Sequence, residues 1–156
     1  MTALLIAMKK FYATQYAEIK SNNGDDDLKI LEYFDDNFKK FSDIIGQIES
    51  DPENVLLYSN AGALYHNILI EEQNKASDLL SQINSLNEQE LEDLKLVYQN
   101  CLNLAQKARE NFLMCNQLEL DEVQSALYYE EAKKLKIVKN DLKSYIRKID
   151  KKIDEL

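Results

Sequence analysis

Apolar residues recur three or four positions apart along most of the chain, which is the period of an amphipathic helix. The pattern marks five stretches, at about 2–20, 25–49, 50–84, 88–115 and 121–153. The sequence therefore predicts an all-α protein, an elongated antiparallel bundle of four or five long helices with coiled-coil-like packing. The number stays open because no Gly or Pro between 116 and 122 forces a turn rather than a bend. We expect residues 1–156 to form a single domain.

Three stretches carry apolar seams whose steps alternate between three and four residues. The second stretch has the seam Leu31, Phe34, Phe38, Phe41, Ile45 and Ile48. The fourth has Leu91, Leu94, Tyr98, Cys101, Ala105, Ala108, Phe112 and Cys115. The last has Leu135, Val138, Leu142, Tyr145 and Ile149. Such seams predict helices that pack side by side along most of their length.

Polar residues three positions apart mark the predicted helix starts. The candidate capping pairs are Ser50–Glu53 for the third helix, Asn87–Glu90 or Ser85–Glu88 for the fourth, and Asp121–Gln124 for the fifth. The apolar register of the third helix is Val55, Tyr58, Gly62, Tyr65, Leu69, Ala76, Leu79 and Ile83. Glu72 interrupts that register with a polar residue, and Gly62 with Ala63 predicts a close approach by a neighbouring helix.

The two cysteines and the first residues of the sequence bear on the cellular location of the protein. Cys101 and Cys115 are 14 residues apart on one predicted helix, or about 21 Å, so they cannot form a disulfide with each other. The apolar run Ala3–Met8 is too short for a signal peptide core and is followed rather than preceded by lysines. No segment approaches the length of about 20 apolar residues that a membrane span needs. We expect a cytoplasmic protein, with export by a route without a signal peptide left open.

Charge is distributed unevenly along the chain. The net charge is −9, from 28 acidic and 19 basic residues, which argues against nucleic acid as a partner. Residues 133–156 nevertheless hold nine basic and four acidic residues, against ten basic and 24 acidic in residues 1–132. The lysines of this last segment are spread around most of the predicted helix. The favoured interpretation is that they complement acidic helices beside them, and partner binding is the alternative.

No pattern in the sequence indicates a catalytic, cofactor or metal site. His66 is the single histidine and has no Glu three residues before it, as a carboxylate-bridged di-iron bundle would require. The two cysteines are about four helical turns apart, too far to share a zinc ion. Three isolated glycines cannot build a phosphate-binding loop. We therefore expect no metal and no cofactor, and we interpret His66 as a boundary residue.

Aromatic and basic residues near the last helix are the candidate binding residues. Tyr128 and Tyr129 follow the irregular region around 116–122 and are candidate interface anchors, although packing against the end of the fourth helix is an equal alternative. The predicted partner-binding set is Tyr128, Tyr129, Lys133, Lys136, Lys139, Lys143 and Arg147.

Helix association is thus the main capability that the sequence indicates. The leading hypothesis is a non-enzymatic protein–protein interaction module, a small acidic adaptor, chaperone or effector that binds another protein through a helical face. A homodimer is a further expectation, because broad apolar stripes also suit self-association. The alternative is a peripheral membrane or lipid-binding bundle that uses the basic last helix and Ala3–Met8. An enzyme is the least favoured class, because plain seams indicate no concave polar pocket.

Overall fold

The computed structural model describes residues 39–40 and 43–156, and the regular structure among them is entirely helical. This confirms the predicted all-α class for that part of the chain. The chain divides into two units, Met1–Glu53 and Asn54–Leu156, which we describe separately. The helix predicted at 2–20, the apolar run Ala3–Met8 and the seam positions from Leu31 to Phe41 lie outside the described residues. The single domain, the elongated shape and the coiled-coil packing stay predictions.

In the unit Met1–Glu53, the described residues before Asp51 are helical. This helix ends where the Asp51 N–H donates to the carbonyl oxygens of Gln47 and Ile48, at 3.0 and 3.2 Å. The Ser50 hydroxyl donates to the Gly46 carbonyl at 3.0 Å, so it belongs to the end of this helix. The capping box predicted at Ser50 is therefore wrong, because a hydroxyl committed to the preceding turn is not the N-cap of the next helix.

Three long helices and one short one make up the unit Asn54–Leu156. Helix α1 spans Val55–Ser81, a 3₁₀ turn spans Ile83–Ser85, α2 spans Glu88–Leu118 and α3 spans Glu122–Asp154. The break between α2 and α3 is thus a turn, which settles the alternative that the sequence left open.

Each long helix begins at a side-chain cap. The Asn54 side chain caps α1 by accepting a hydrogen bond from the Leu56 N–H at 3.1 Å. Asn87 and Glu90 form the predicted capping box of α2, with each side chain accepting from the backbone N–H of the other. The Asp121 carboxylate caps α3 by accepting from the Gln124 N–H at 2.9 Å. The caps of α2 and α3 confirm the sequence prediction, and that of α1 lies four residues later than predicted.

Helix α2 is the centre of this unit, because α1 and α3 both pack against it and hardly touch each other. Both neighbours run antiparallel to α2. The Cys115 thiol lies 3.6 Å from the Val55 carbonyl, which joins the end of α2 to the start of α1. At the opposite end of α2, the Lys95 ammonium lies 2.6 Å from the Asp150 carboxylate near the end of α3. The predicted antiparallel order of sequential helices is confirmed for these three.

The seam predicted for α2 is buried at every position, from 0% exposure at Leu91 to 7% at Phe112. On α3, Leu135, Leu142 and Ile149 are buried, while Tyr145 is half-buried and its ring lies 5.5 Å from that of Tyr98. The hydrophobic effect therefore holds α2 and α3 together along the stripe that the spacing indicates.

The α1 side of the core departs from the sequence prediction at two positions. Leu79 is 45% exposed although it lies in the apolar register, and Ala63 is exposed. Ala61 and Gly62 provide the small buried surface instead, and a Cβ on Gly62 would lie 2.9 Å from Cζ of Phe112. The close approach of α1 to α2 is thus confirmed at Gly62 and wrong at Ala63, which lies outside the buried arc of α1.

Candidate functional site

The exposed face of α3 carries a row of seven side chains, five of them basic, which we call the basic stripe. It follows steps of three or four residues, so its members share one face of the helix. They are Tyr129, Lys133, Lys136, Asn140, Lys143, Arg147 and Lys151, and every one is exposed. The row extends for about 33 Å at 1.5 Å per residue, and no acidic residue interrupts it. Helix α3 as a whole has nine basic and six acidic residues, whereas acidic residues outnumber basic ones in α1 and α2.

Most cations of the basic stripe have no anionic partner in the part of the chain that the structure describes. Lys133 is the exception, since its ammonium lies 3.5 Å from the Glu130 carboxylate and 5.7 Å from the centre of the Tyr129 ring. The remaining members without an ion pair among the described residues are Lys136, Lys143, Arg147 and Lys151. This face therefore presents uncompensated positive charge to solvent.

The described residues do not support the favoured interpretation that these lysines complement acidic neighbouring helices, because none of them forms an ion pair with α1 or α2. The acidic residues between 25 and 36 lie outside the described residues. Within residues 43–156, the only ion pair between two helices is Lys95 with Asp150, and there the cation is on α2 and the carboxylate on α3. The lysines of α3 that do form ion pairs use Glu130, Glu131 and Glu155, each three residues away along the chain. The cause is geometric, because the basic stripe points away from the buried edge of α3.

Two members of the predicted partner-binding set lie off the basic stripe. Tyr128 is half-buried, which fits the alternative of packing rather than an exposed anchor. Lys139 is also half-buried and donates a hydrogen bond to the Gln106 side chain of α2. Burial is the largest cause that lowers the pKa of Lys139, and the positive charges of Lys143 and Arg109 lower it further. The structure thus brings five of the seven predicted residues onto one face and places these two beside it.

Asn140 and Lys151 are the members of the basic stripe that sequence reasoning missed. Their signal was present, because the basic residues from Lys133 onward fall on steps of three and four just as the apolar ones do. A helical register taken from Leu135 and Leu142 would have separated the stripe from Lys134, Lys148 and Lys152 on the other side.

An apolar cluster lies on the surface at the turn between α2 and α3. Leu120 is 96% exposed, Val123 74% and Leu127 54%. The turn itself is well held, because the Asn116 side chain donates to the Ser125 carbonyl and hydroxyl at 3.0 and 2.9 Å. The Ser125 hydroxyl donates in turn to the Asn116 carbonyl at 2.8 Å. A rigid turn therefore presents these apolar side chains to solvent.

The two cysteines and the single histidine are the remaining residues with reactive side chains. Burial raises the pKa of Cys101 to about 12 and that of Cys115 to about 11, and both thiols are fully buried. Such thiols are poor nucleophiles because almost none is ionised at neutral pH. His66 is partly exposed on α1. Among residues 39–40 and 43–156, no group of three or more His, Cys, Asp or Glu side chains is placed to hold a metal ion.

Comparisons of the chain with protein-family models, with curated proteins and with solved structures find no match. Within the described part of the chain, each helix lacks the apolar length needed to cross a bilayer.

Proposed function

We propose that this protein is a non-enzymatic binding module that engages an acidic segment of another protein through the basic stripe of α3. The observation that supports this is the row of exposed cations at Lys136, Lys143, Arg147 and Lys151, which have no ion pair among the described residues. A surface of uncompensated charge on an otherwise acidic protein favours encounter with an oppositely charged partner.

The geometry of the basic stripe fits an extended or helical acidic segment. Its five cations extend from Lys133 to Lys151, about 27 Å at 1.5 Å per residue, with a gap at Asn140. A helix that carries carboxylates at the same spacing would match them. A single exposed ion pair contributes about 0–1 kcal/mol, so the affinity has to come from several pairs together. Tyr129, 47% exposed at one end of the row, adds an aromatic side chain of the type that is enriched at interfaces.

The direct test uses a fluorescently labelled acidic peptide and two matched variants of the full chain. The stripe variant carries Lys136→Gln, Lys143→Gln and Arg147→Gln. The control variant carries Lys134→Gln, Lys148→Gln and Lys152→Gln on the other side of the same helix. Each variant removes three positive charges, so net charge changes equally.

We expect fluorescence anisotropy to show about 3- to 150-fold weaker binding for the stripe variant, because it loses three charged contacts of about 0.2–1 kcal/mol each. The control should change within about twofold. The affinity should also fall as salt is raised, since exposed charges are screened. Equal weakening of both variants would show that only net charge matters and would contradict the proposal.

Adsorption to an anionic membrane surface is the second candidate function. The observation in its favour is the exposed apolar cluster of Leu120, Val123 and Leu127, on the turn at which the helix with the basic stripe begins. Apolar side chains that enter the lipid interface beside basic residues are typical of peripheral membrane proteins. Ala3–Met8, the other apolar segment predicted for this role, lies outside the described residues.

Vesicle flotation separates the two functions. Vesicles that contain phosphatidylserine should bind the wild type and release the Leu120→Ser, Val123→Ser double variant if the membrane is the partner. If a protein segment is the partner, that double variant should bind the acidic peptide as the wild type does. The proposal further places the protein in the cytoplasm as an adaptor, chaperone or effector. Light scattering tests the expected homodimer.

A further inference from the structure

A second set of cations lies where the basic stripe meets α2. The register of the two helices is fixed by the Lys139 hydrogen bond to Gln106 and by the Lys95–Asp150 ion pair. Three residues further along α2, in this antiparallel register, Arg109 lies opposite Lys136. The basic residues of α2 and α3 that meet at this level, which we call the Arg109 cluster, are Arg109, Lys136, Lys139 and Lys143.

One carboxylate, that of Glu110, acts on the Arg109 cluster by raising the pKa of Lys139, but it forms no ion pair with the cluster. None of its four side chains forms an ion pair within the described residues. Glu110 is the nearest acidic residue along α2, and its carboxylate already accepts from Gln106 at 2.8 Å and pairs with Lys107 at 3.2 Å. Although burial raises the pKa of Glu110, its hydrogen bonds with Gln106 and Lys107 and the positive charges of Lys107 and Lys139 lower it below its usual range, so the carboxylate stays ionised and engaged.

Arg109 carries a buried hydrogen-bond donor that has no partner among the described residues. Its Nε atom is buried and has no hydrogen-bond acceptor among the described residues. A guanidinium that loses water without gaining an acceptor costs free energy, and proteins usually compensate it with a carboxylate or phosphate in a bidentate pair. Lys139 beside it is half-buried and uses a neutral amide as its acceptor. Arg109, Lys136 and Lys143 thus lie near enough to lower the pKa of Lys139 through their positive charges, and Glu110, which Gln106 and Lys107 already engage, opposes them only in part.

We propose that Arg109, Lys136, Lys139 and Lys143 form an oxyanion site that takes a phosphate group. The inference deepens the proposed function and rests on it for the source of the phosphate, a phosphorylated side chain within the acidic segment. A phosphate dianion offers three strong acceptor oxygens, which suits an Arg fork with several lysines better than a single carboxylate does. Each of α2 and α3 contributes, so the site exists only where the two helices are packed.

The first experiment uses inorganic phosphate as the probe and thermal unfolding of the full chain as the readout. Unfolding is measured in phosphate and in chloride at equal ionic strength, for the wild type, Arg109→Gln and Lys139→Gln. The control is Lys148→Gln, an exposed lysine of α3 without an ion pair among the described residues. At a phosphate concentration about ten times the Kd, the wild type and the control should gain about 3–5 °C over chloride.

Arg109→Gln and Lys139→Gln should lose most of that gain. The measured quantity is the difference between the two salts, so a change in the intrinsic stability of a variant does not affect it. Phosphate also stabilises proteins by exclusion from their surfaces, but that effect acts on all variants alike. An equal gain in all four proteins would mean exclusion only and would overturn the site. Should Arg109→Gln fail to fold, Lys139→Gln still decides the outcome.

The second experiment identifies the source of the phosphate. Two acidic peptides of the same sequence, one with serine and one with phosphoserine, are titrated into the wild type, Arg109→Gln and the stripe variant. We expect the phosphoserine peptide to bind the wild type about tenfold more tightly, and Arg109→Gln to remove that difference while still binding the serine peptide. Tight binding of inorganic phosphate with no preference between the peptides would overturn phosphoserine as the source. Serine-peptide binding that the stripe variant leaves unchanged would contradict the proposed function alone, because the serine peptide carries no phosphate and does not test the oxyanion site.

Discussion

Replacing Gly62 by alanine tests the packing of α1 against α2 most sharply. Gly62 is buried in the interior of α1, and a Cβ placed on it would lie 2.9 Å from Cζ, 3.0 Å from Cε1 and 3.1 Å from Cε2 of Phe112. Carbon atoms in favourable contact are about 3.5–4.0 Å apart, so the ring edge would have to move by roughly 0.5–1 Å. Phe112 is only 7% exposed and has little room to do so.

Two opposing contributions set the magnitude. Alanine in a helix interior is favoured over glycine by about 1 kcal/mol, whereas overpacking a tight core costs about 1–3 kcal/mol. We expect Gly62→Ala to destabilise the protein by about 1 kcal/mol net, measured by urea unfolding with an unchanged m-value. Ala63→Gly, at the exposed neighbouring position of α1, measures the helix-propensity contribution by itself and should cost about 1 kcal/mol.

Gly46→Ala is the matched control, because no atom lies within 4 Å of a Cβ at that exposed helical position. It should stabilise its helix, by up to about 1 kcal/mol. A second control replaces Phe112 by leucine, after which Gly62→Ala should become neutral or stabilising, because the ring edge is gone. The reasoning would be refuted if Gly62→Ala stabilised the protein as much as Gly46→Ala, or if its effect were the same with and without Phe112.

Three further predictions follow from burial and charge. The buried Glu72 carboxylate is 5% exposed and its pKa is raised by burial, partly countered by Lys75, so protonation favours the folded state. Glu72→Gln should therefore stabilise the protein by about 1–3 kcal/mol at pH 7, and this advantage should vanish below about pH 4; a pH-independent effect in urea titrations would contradict it. With thiol pKa values of about 12 and 11, Cys101 and Cys115 should react with Ellman's reagent at pH 8 at least about a hundredfold more slowly than in urea, and rapid labelling of the native protein would sink this expectation. Raising salt from about 0.01 to about 1 M shortens the Debye length from about 30 to 3 Å and so screens the repulsion along the basic stripe. In thermal scans, the added salt should therefore stabilise the wild type more than the stripe variant. Equal gains would show that this repulsion is negligible.

The core of α2 could be predicted from the sequence because a single spacing rule decides it. All eight seam positions from Leu91 to Cys115 are buried, and no glycine, proline or charge interrupts them. The caps at Asn87 and Asp121 were predictable for the same reason, since the preceding residues break the apolar period. Local rules suffice where a helix has one broad face buried between two neighbours.

The start of α1 and its outer register could not be predicted in the same way. The Ser50–Glu53 spacing fits a capping box, but in the structure Ser50 bonds backward to Gly46 and Asn54 caps α1. Both arrangements satisfy local hydrogen bonding, and the local sequence does not rank them. Leu79 keeps the apolar register but is 45% exposed near the end of α1, and whether a neighbouring helix covers such a position depends on tertiary packing.

The candidate site was predicted only in part, because the sequence does not show which charged side chains of α3 are exposed and which are partly buried. From sequence, the lysines of residues 133–156 cover most of the helix circumference, which suggests a solvated helix that pairs with its neighbours. The structure divides them: Lys134 and Lys152 pair locally, Lys139 turns toward α2, and the exposed row has one ion pair among the described residues, that of Lys133 with Glu130. The spacing of residues along the sequence does not show which side of α3 packs against α2.

The basic stripe carries more positive charge than the packing of α3 against α2 requires. The contact with α2 uses Ala132, Leu135, Leu142 and Ile149, and solvent-facing positions between them could hold any helix former. Like charges three or four residues apart cost about 0.2–0.5 kcal/mol per pair, and along this row the described residues offer only Glu130 in return. Glu131 and Glu155 compensate lysines on the other side of the same helix, so α3 does not lack carboxylates in general. A face with one ion pair among the described residues, on a helix that pairs Lys134 and Lys152 elsewhere, supports the proposed anionic partner, with Arg109 and Lys139 marking where that partner's charge would be densest.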